Sequence, residues 1–297
     1  MFIITIFKQL LMEEIIYHYT SLEVLKKIIE NSSNDEFTMR ATHAKYLNDP
    51  KEYSLAIDLL RAKLIEYDNT LTFGRSKNMR ATLTEKKMSF FQWKEMDDDI
   101  PFIISFSKHK DSLPMWNTYG NRSQGIAIGL KKEALNNLGD HVGVKSCLYD
   151  TKEYENYLDD NIPSIHRSTR VTIKNESITF TNSSDNNPLD DFYDKYLPLL
   201  KHKAFEYEDE ERLVIPQKIS DFEELQYNLS GNLLKPFKEI QLPLESIKEI
   251  ILGPNTSAEL LQMPLAKLFK KKNMSLTDSF GYNGINLIVS DCPYRNI

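Results

Sequence analysis

Apolar positions along the chain predict a mixed set of helices and strands. Residues 15–19 (IIYHY) are β-branched and aromatic, the composition of a strand. The spacing Thr20-Ser21-Leu22-Glu23 matches a capping box, so Thr20 is predicted to start a helix whose apolar face is Leu22, Leu25, Ile28 and Ile29. A second helix is predicted after Asn48-Asp49-Pro50, with Asp49 as N-cap, Pro50 at the first helical position and Glu52 completing the box. Its stripe is Tyr53, Ala56, Ile57, Leu60 and Leu64, and another helix is expected around residues 86–95. Short β-rich runs follow at 102–107, 125–130 and 142–149. Residues 151–190 are rich in Asn, Asp and Ser; they read as a polar, dispensable insertion with some strand at 171–181. A helix near 191–202, a strand at 205–215 and strands at 237–242 and 247–252 come next. Thr256-Ser257-Ala258-Glu259 caps a last helix in which Pro264 places a kink, and residues 285–289 close the chain as a strand. Without a regular βαβα alternation, this order predicts an α+β fold with a mixed or largely antiparallel sheet. One domain over residues 15–297 is expected, preceded by an extension at 1–14.

Composition narrows the function classes. The 297 residues are 41% hydrophobic and 27% charged, with net charge −6 and a pI near 5.6. That balance disfavours broad adhesion to nucleic acid or an anionic membrane. The two cysteines, Cys147 and Cys292, form no CxxC or Cys/His cluster, which suits a reducing, cytoplasmic setting. The apolar start MFIITIFKQLLMEEII is too short to span a bilayer and lacks a cleavage site, so neither export nor membrane insertion is expected; Met12 is an alternative start. GxGxxG and GxxxxGK[ST] are both absent, so a nucleotide would be held by other means.

Residues 203–215 (KAFEYEDEERLVI) put an unusual density of acid into a segment with strand character. On a strand, Glu206, Glu208, Glu210 and Arg212 share one face, where Arg212 can orient a carboxylate through a bidentate contact. The competing explanation is a solvated edge strand whose charges block aggregation. His18, between Tyr17 and Tyr19, is either a packing histidine or a ligand-binding one. Trp116 and Tyr119 share a helical face, as core residues or as the wall of a pocket for a flat ring. The six histidines show no HExxH or other metal spacing, so no metal site is expected.

The ordered set of Tyr17-His18-Tyr19-Thr20-Ser21, Asn48-Asp49-Pro50 with Glu52, Ser105-Phe106-Ser107, Met115-Trp116 with Tyr119, residues 125–128 (GIAI), and Lys203 through Tyr207-Glu208-x-Glu210-x-Arg212 resembles the bacterial domain-of-unknown-function family numbered twenty-nine seventy-one. The resemblance runs over about residues 15–253, and Phe205 stands where that family carries a tryptophan. More distantly, the His, Tyr, Glu order resembles diphtheria-toxin-type ADP-ribosyltransferases. That likeness implies an ADP-ribosyltransferase-like split sheet with NAD in the cleft between its halves. His18 and Thr20 would hold the adenosine ribose and nicotinamide amide, with Tyr19 and Ser105 beside them; Tyr119 or Trp116 would stack on the nicotinamide. Glu208 or Glu210 would be catalytic, with Arg212 aiming the acid or binding phosphate. The carboxylate would stabilise an oxocarbenium-like state as the nicotinamide bond breaks. The implied partners are NAD as substrate, a nucleic-acid or protein acceptor and, for a toxin or phage-defence effector, a neutralising antitoxin. Two other classes stay open: a nucleotide-binding sensor without turnover, and a metal-dependent nuclease or phosphodiesterase using the acids.

Overall fold

The computed structural model describes residues 13–33, 35–48, 52–70, 101–139, 142–168, 170–174, 177–181, 192–216, 225–230, 232–277 and 284–293. In chain order it contains β1 (Ile15–Thr20), α1 (Leu22–Glu30), β2 (Glu36–His43), α2 (Glu52–Thr70), β3 (Phe102–Ser107), α3 (Leu113–Thr118), β4 (Ile126–Lys131), α4 (Lys132–Leu135), β5 (Gly143–Ser146), α5 (Lys152–Ser168), β6 (Arg170–Lys174) and β7 (Ser177–Thr181). After a π turn (Phe192–Tyr196) and a 3-10 helix (Lys203–Glu208) come β8 (Glu210–Ile215), β9 (Gln226–Ser230), β10 (Leu233–Pro243), β11 (Ile247–Leu252), α6 (Ala258–Lys270), β12 (Leu276–Thr277) and β13 (Ile285–Val289). The expected Asp49 cap, the 86–95 helix and residues 1–12 lie outside the described residues.

β1 shows how sequence alternation builds the layers. Ile16 is buried against α1, while Tyr17 and Tyr19 point to the opposite face and pack with Trp116 of α3. Thr20 stays extended and pairs with Ile126, so it is not available as a cap. Ser21 caps α1 instead, accepting from the Val24 amide at 3.2 Å, and Glu23 pairs with Lys27 rather than closing a box.

Eleven strands form one large mixed sheet in the order β12-β13-β11-β4-β1-β3-β2-β10-β9, with β8 hydrogen-bonded to β3 and β5 to β8. The ladders are antiparallel except β11–β13 and β12–β13. The first of these needs a crossover, which α6 supplies. α1 and α6 cover one face through Leu25, Ile28, Ile29, Leu265 and Phe269, a core to which each large apolar side chain contributes about 2 kcal/mol. A second core joins Ala56, Leu60 and Leu64 of α2 to Tyr154, Leu158 and Ile165 of α5 and to Phe192, Tyr196 and Leu200.

Over residues 152–168, that second core corrects the view of a dispensable polar excursion. Tyr154, Leu158, Ile162 and Ile165 recur at helical spacing and are buried, and the Tyr154 hydroxyl donates to the Ala56 carbonyl at 2.9 Å. The residues expected to form a strand from 205 also behave differently. Residues 203–208 are a 3-10 helix, and the strand starts only at Glu210, after Asp209 in the left-handed region (φ 41°). β8 lies between β3 and β5 and is buried along its length, so it is not a solvated edge strand. β2, where Phe37, Met39 and Ala41 face the core in alternation with Thr38, Arg40 and Thr42, and β9 are elements that the apolar-run criterion passes over.

Candidate functional site

β3 carries the site. One of its edges pairs with β8 from Phe102 to Ser107. The other is shared: β1 meets it at Ser107, through Tyr17, and β2 meets it at Phe102 and Ile103. Between these two contacts the strands part, and residues 104–106 face an opening. A buried carbonyl there needs a donor. The His18 ring supplies it, its Nδ1 lying 2.9 Å from the Ser105 carbonyl oxygen. A carbonyl only accepts, so Nδ1 bears the hydrogen and Nε2 is left as an acceptor. Burial pushes the His18 pKa down, against a smaller opposing effect of the Ser105 bond, which keeps the ring neutral at pH 7.

A cavity of about 330 Å³ occupies the opening and the face of the sheet beside it. Its acidic floor is made by the turn between the 3-10 helix and β8. Glu208 ends the 3-10 helix and Glu210 opens β8, and the left-handed Asp209 between them, a conformation that aspartate tolerates, makes the turn across which both acids meet one cation. Lys201 Nζ donates to Glu208 Oε2 and Glu210 Oε2, each at 2.5 Å. Arg212 clamps Glu210 bidentately, from Nε to Oε1 at 2.9 Å and from Nη2 to Oε2 at 3.0 Å. Its Nη1 donates to the Pro198 carbonyl at 2.6 Å. Burial alone would raise the Glu210 pKa; Arg212 and Lys201 instead hold it down at about 2. Two acids and two cations leave the floor neutral overall.

Lys201 reaches this place because the second core delivers it. Leu197 and Leu200 are buried there, and the backbone is pinned by Leu148 N to Leu199 O at 2.8 Å and Lys201 N to Leu148 O at 2.9 Å. Tyr119 closes the wall, its hydroxyl donating to Glu208 Oε1 at 2.9 Å. Burial, then the negative Glu208, pushes its phenol pKa up, so the hydroxyl keeps its proton. Phe205 lies with its ring centroid 5.1 Å from Lys201 Nζ. At the mouth stand Tyr207, 45% exposed, with Asn48, Arg40 and Lys235.

Of the residues singled out from sequence, His18, Tyr19, Ser105, Tyr119, Glu208, Glu210 and Arg212 line this one cavity. Thr20 and Trp116 do not. Thr20 is held in the β1–β4 ladder, and Trp116 is fully buried beneath the wall, its indole donating to Asp111 at 2.5 Å and packing edge-on against Tyr19. This resolves the choice of aromatic at the cavity in favour of Tyr119. Glu206, expected on the same face as Glu208, is displaced by the 3-10 geometry and does not line it. Lys201, Arg40 and Lys235 were missed. A lysine near the end of an expected helix carries no local signal, although the strand-period alternation of residues 37–42 does mark Arg40 as lying off the core face. Among the described residues no group of three or more His, Cys, Asp or Glu side chains is arranged to hold a metal ion, and no helix is long and apolar enough to cross a membrane.

Comparison with known proteins places part of the chain beside one family. The model of the family described as "Protein of unknown function (DUF2971)" matches residues 115–213, a third of the chain. Over that stretch, from α3 to β8, the protein is similar to this family, and the stretch contains Tyr119, Lys201, Glu208, Glu210 and Arg212. It leaves out His18 and Arg40. Neither the curated proteins nor the solved structures yielded a match.

Proposed function

We propose that the protein is an NAD-consuming ADP-ribosyltransferase, with an ADP-ribosyltransferase-like arrangement of its sheet around the cavity and a nucleic-acid or protein acceptor. The observation that carries this is the meeting of His18, from the first strand, with Glu208 and Tyr119 in one cavity. A volume near 330 Å³ holds a nucleoside-sized group, and the open mouth lets the rest of a dinucleotide extend outward. In this scheme the nicotinamide end lies against Tyr119 and the His18 Nε2 accepts from a ligand hydroxyl or amide. Glu208 faces the ribose carbon that becomes cationic as the bond to nicotinamide breaks. A carboxylate prearranged in a water-poor site stabilises that charge at little reorganisation cost. Glu210 differs in role: it carries the bidentate Arg212 clamp in addition to Lys201, where Glu208 takes one bond each from Tyr119 and Lys201, which makes Glu210 the anchor that holds Lys201, and through it Glu208, in place. Attack by the acceptor then transfers ADP-ribose and releases nicotinamide.

A nicotinamide-release assay tests this directly. Glu208→Gln is expected to lower turnover by about 100-fold or more while the folded state is kept. Wild-type-level activity in that variant, or no release by the native protein, overturns the assignment. Mass spectrometry of cell extracts incubated with NAD identifies the acceptor. One observation favours a second reading, a nucleotide sensor without turnover: each oxygen of Glu208 and Glu210 already has a partner within the protein. Calorimetric binding of NAD without nicotinamide release would select it.

A further inference from the structure

We propose that Arg40 and Lys235 form a phosphate subsite at the mouth of the cavity, for the phosphate groups of a nucleoside diphosphate; the subsite rests on the NAD scheme only for the identity of the nucleotide. The two cations are neighbours by sheet geometry. In the β2–β10 ladder Thr42 pairs with Phe237 and Arg40 with Glu239, so Arg40, Thr42, Lys235, Phe237 and Glu239 project from the same face. That face is the cavity side, since Phe37, Met39 and Ala41 point the other way into the main core. Arg40 is held in position: its guanidinium lies 4.3 Å from the centroid of the buried Phe237 ring, and Nε is 3.6 Å from Glu239 Oε1, too far for a hydrogen bond. A guanidinium stacked in this way presents its remaining N–H groups in a plane, the geometry that phosphate oxygens accept. Lys235 is half-buried at the cavity and has no carboxylate partner among the described residues.

Register places these cations opposite the acid floor. Thr42 pairs with Ile103, so Arg40 would fall level with Ser105 if β2 stayed on β3, and Ser105 pairs with Arg212. The strands part there, so Arg40 and the Glu210–Arg212 pair face each other across the gap. Two inter-strand spacings, about 10 Å, are the lower bound on this separation, and a ribose with its 5′ diphosphate is long enough to reach across such a gap. The floor is neutral overall, so it does not repel an anion, and at the mouth the two cations Arg40 and Lys235 outweigh the one carboxylate beside them, Glu239.

The test uses titration calorimetry with ADP-ribose and, as a neutral comparator, adenosine, on the full chain and on Arg40→Gln and Lys235→Gln. ADP-ribose is expected to bind more tightly than adenosine, to weaken about 10-fold in each variant, and to weaken with salt, while adenosine binding stays unchanged. Unchanged ADP-ribose affinity in both variants, equal affinity for adenosine and ADP-ribose, or no ADP-ribose binding overturns the subsite. The two proposals fail separately. Loss of nicotinamide release in Glu208→Gln together with normal ADP-ribose binding in Arg40→Gln and Lys235→Gln sinks the subsite and keeps the enzyme. Arg40-dependent ADP-ribose binding without any NAD turnover does the reverse.

Discussion

Glu210 and Glu211 are adjacent on β8, and both are buried and ionised, yet they belong to different parts of the molecule. Glu210 faces the cavity and is gripped by Lys201 and Arg212, themselves only 5% and 2% exposed. Glu211 faces away from it; Ser146 donates to it at 2.7 Å, and Lys108 and Lys132 approach to 3.1 and 3.2 Å. Those lysines are 39% and 17% exposed, with stems that reach solvent. Burial would raise the Glu211 pKa, and Ser146, Lys108 and Lys132 reverse that and lower it. Acid density in the segment is therefore not one feature. Strand parity sends one carboxylate into a network closed by buried cations beside a cavity, and the next into a cross-strand pairing that staples β8 to its surroundings.

The largest effect on this contrast is expected from Lys201→Met. It leaves Glu208 and Glu210 buried without their shared cation, a loss of about 3–5 kcal/mol in urea unfolding. A loss below 1 kcal/mol would mean the cluster is open to water. Acid comes next. Glu210 takes up its proton near 4.5 when unfolded and at about 2 when folded, so the unfolded chain protonates first as pH falls. Its contribution is complete above about pH 4.5 and disappears towards pH 2, on the order of 3 kcal/mol. Glu210→Gln should flatten that part of the stability–pH curve; an unchanged curve would contradict the clamp. Glu211→Gln is expected to remove about 2 kcal/mol of stability and none of the nicotinamide release. Activity lost in step with Glu208→Gln would erase the distinction between the two faces. The smallest change, about 1 kcal/mol, is expected for Tyr119→Phe, which removes one donor from Glu208 and is read by thermal unfolding.

Much of the sheet was legible because its signals are local. Residues 102–107 (FIISFS) and 247–252 (IKEIIL) are short segments rich in β-branched and aromatic residues, and both form strands buried in the sheet. The helical stripe at Ala56, Ile57, Leu60 and Leu64 is buried as its spacing implies. Other elements were hidden by the same kind of signal. In α5 the apolar positions are diluted by Asn, Asp and Glu, so composition suggested a loop although the 3.6-residue period of Tyr154, Leu158, Ile162 and Ile165 was present. For residues 205–208 strand propensity misled, since a 3-10 helix ending in the left-handed Asp209 depends on Lys108 N reaching the Asp209 carbonyl at 3.1 Å, a partner about a hundred residues away.

By itself the sequence determined the α and β content, the acid-rich approach to β8, and the shared face of Glu210 and Arg212, because each follows from spacing within a few residues. Tertiary structure decided which acids meet a cation, that Tyr119 rather than Trp116 reaches the cavity, and that His18 fills the gap left where β1 and β2 part. Those outcomes rest on contacts such as Lys201 with Glu210 and His18 with Ser105, in which burial and long-range pairing, not propensity, determine where a side chain finds its partner.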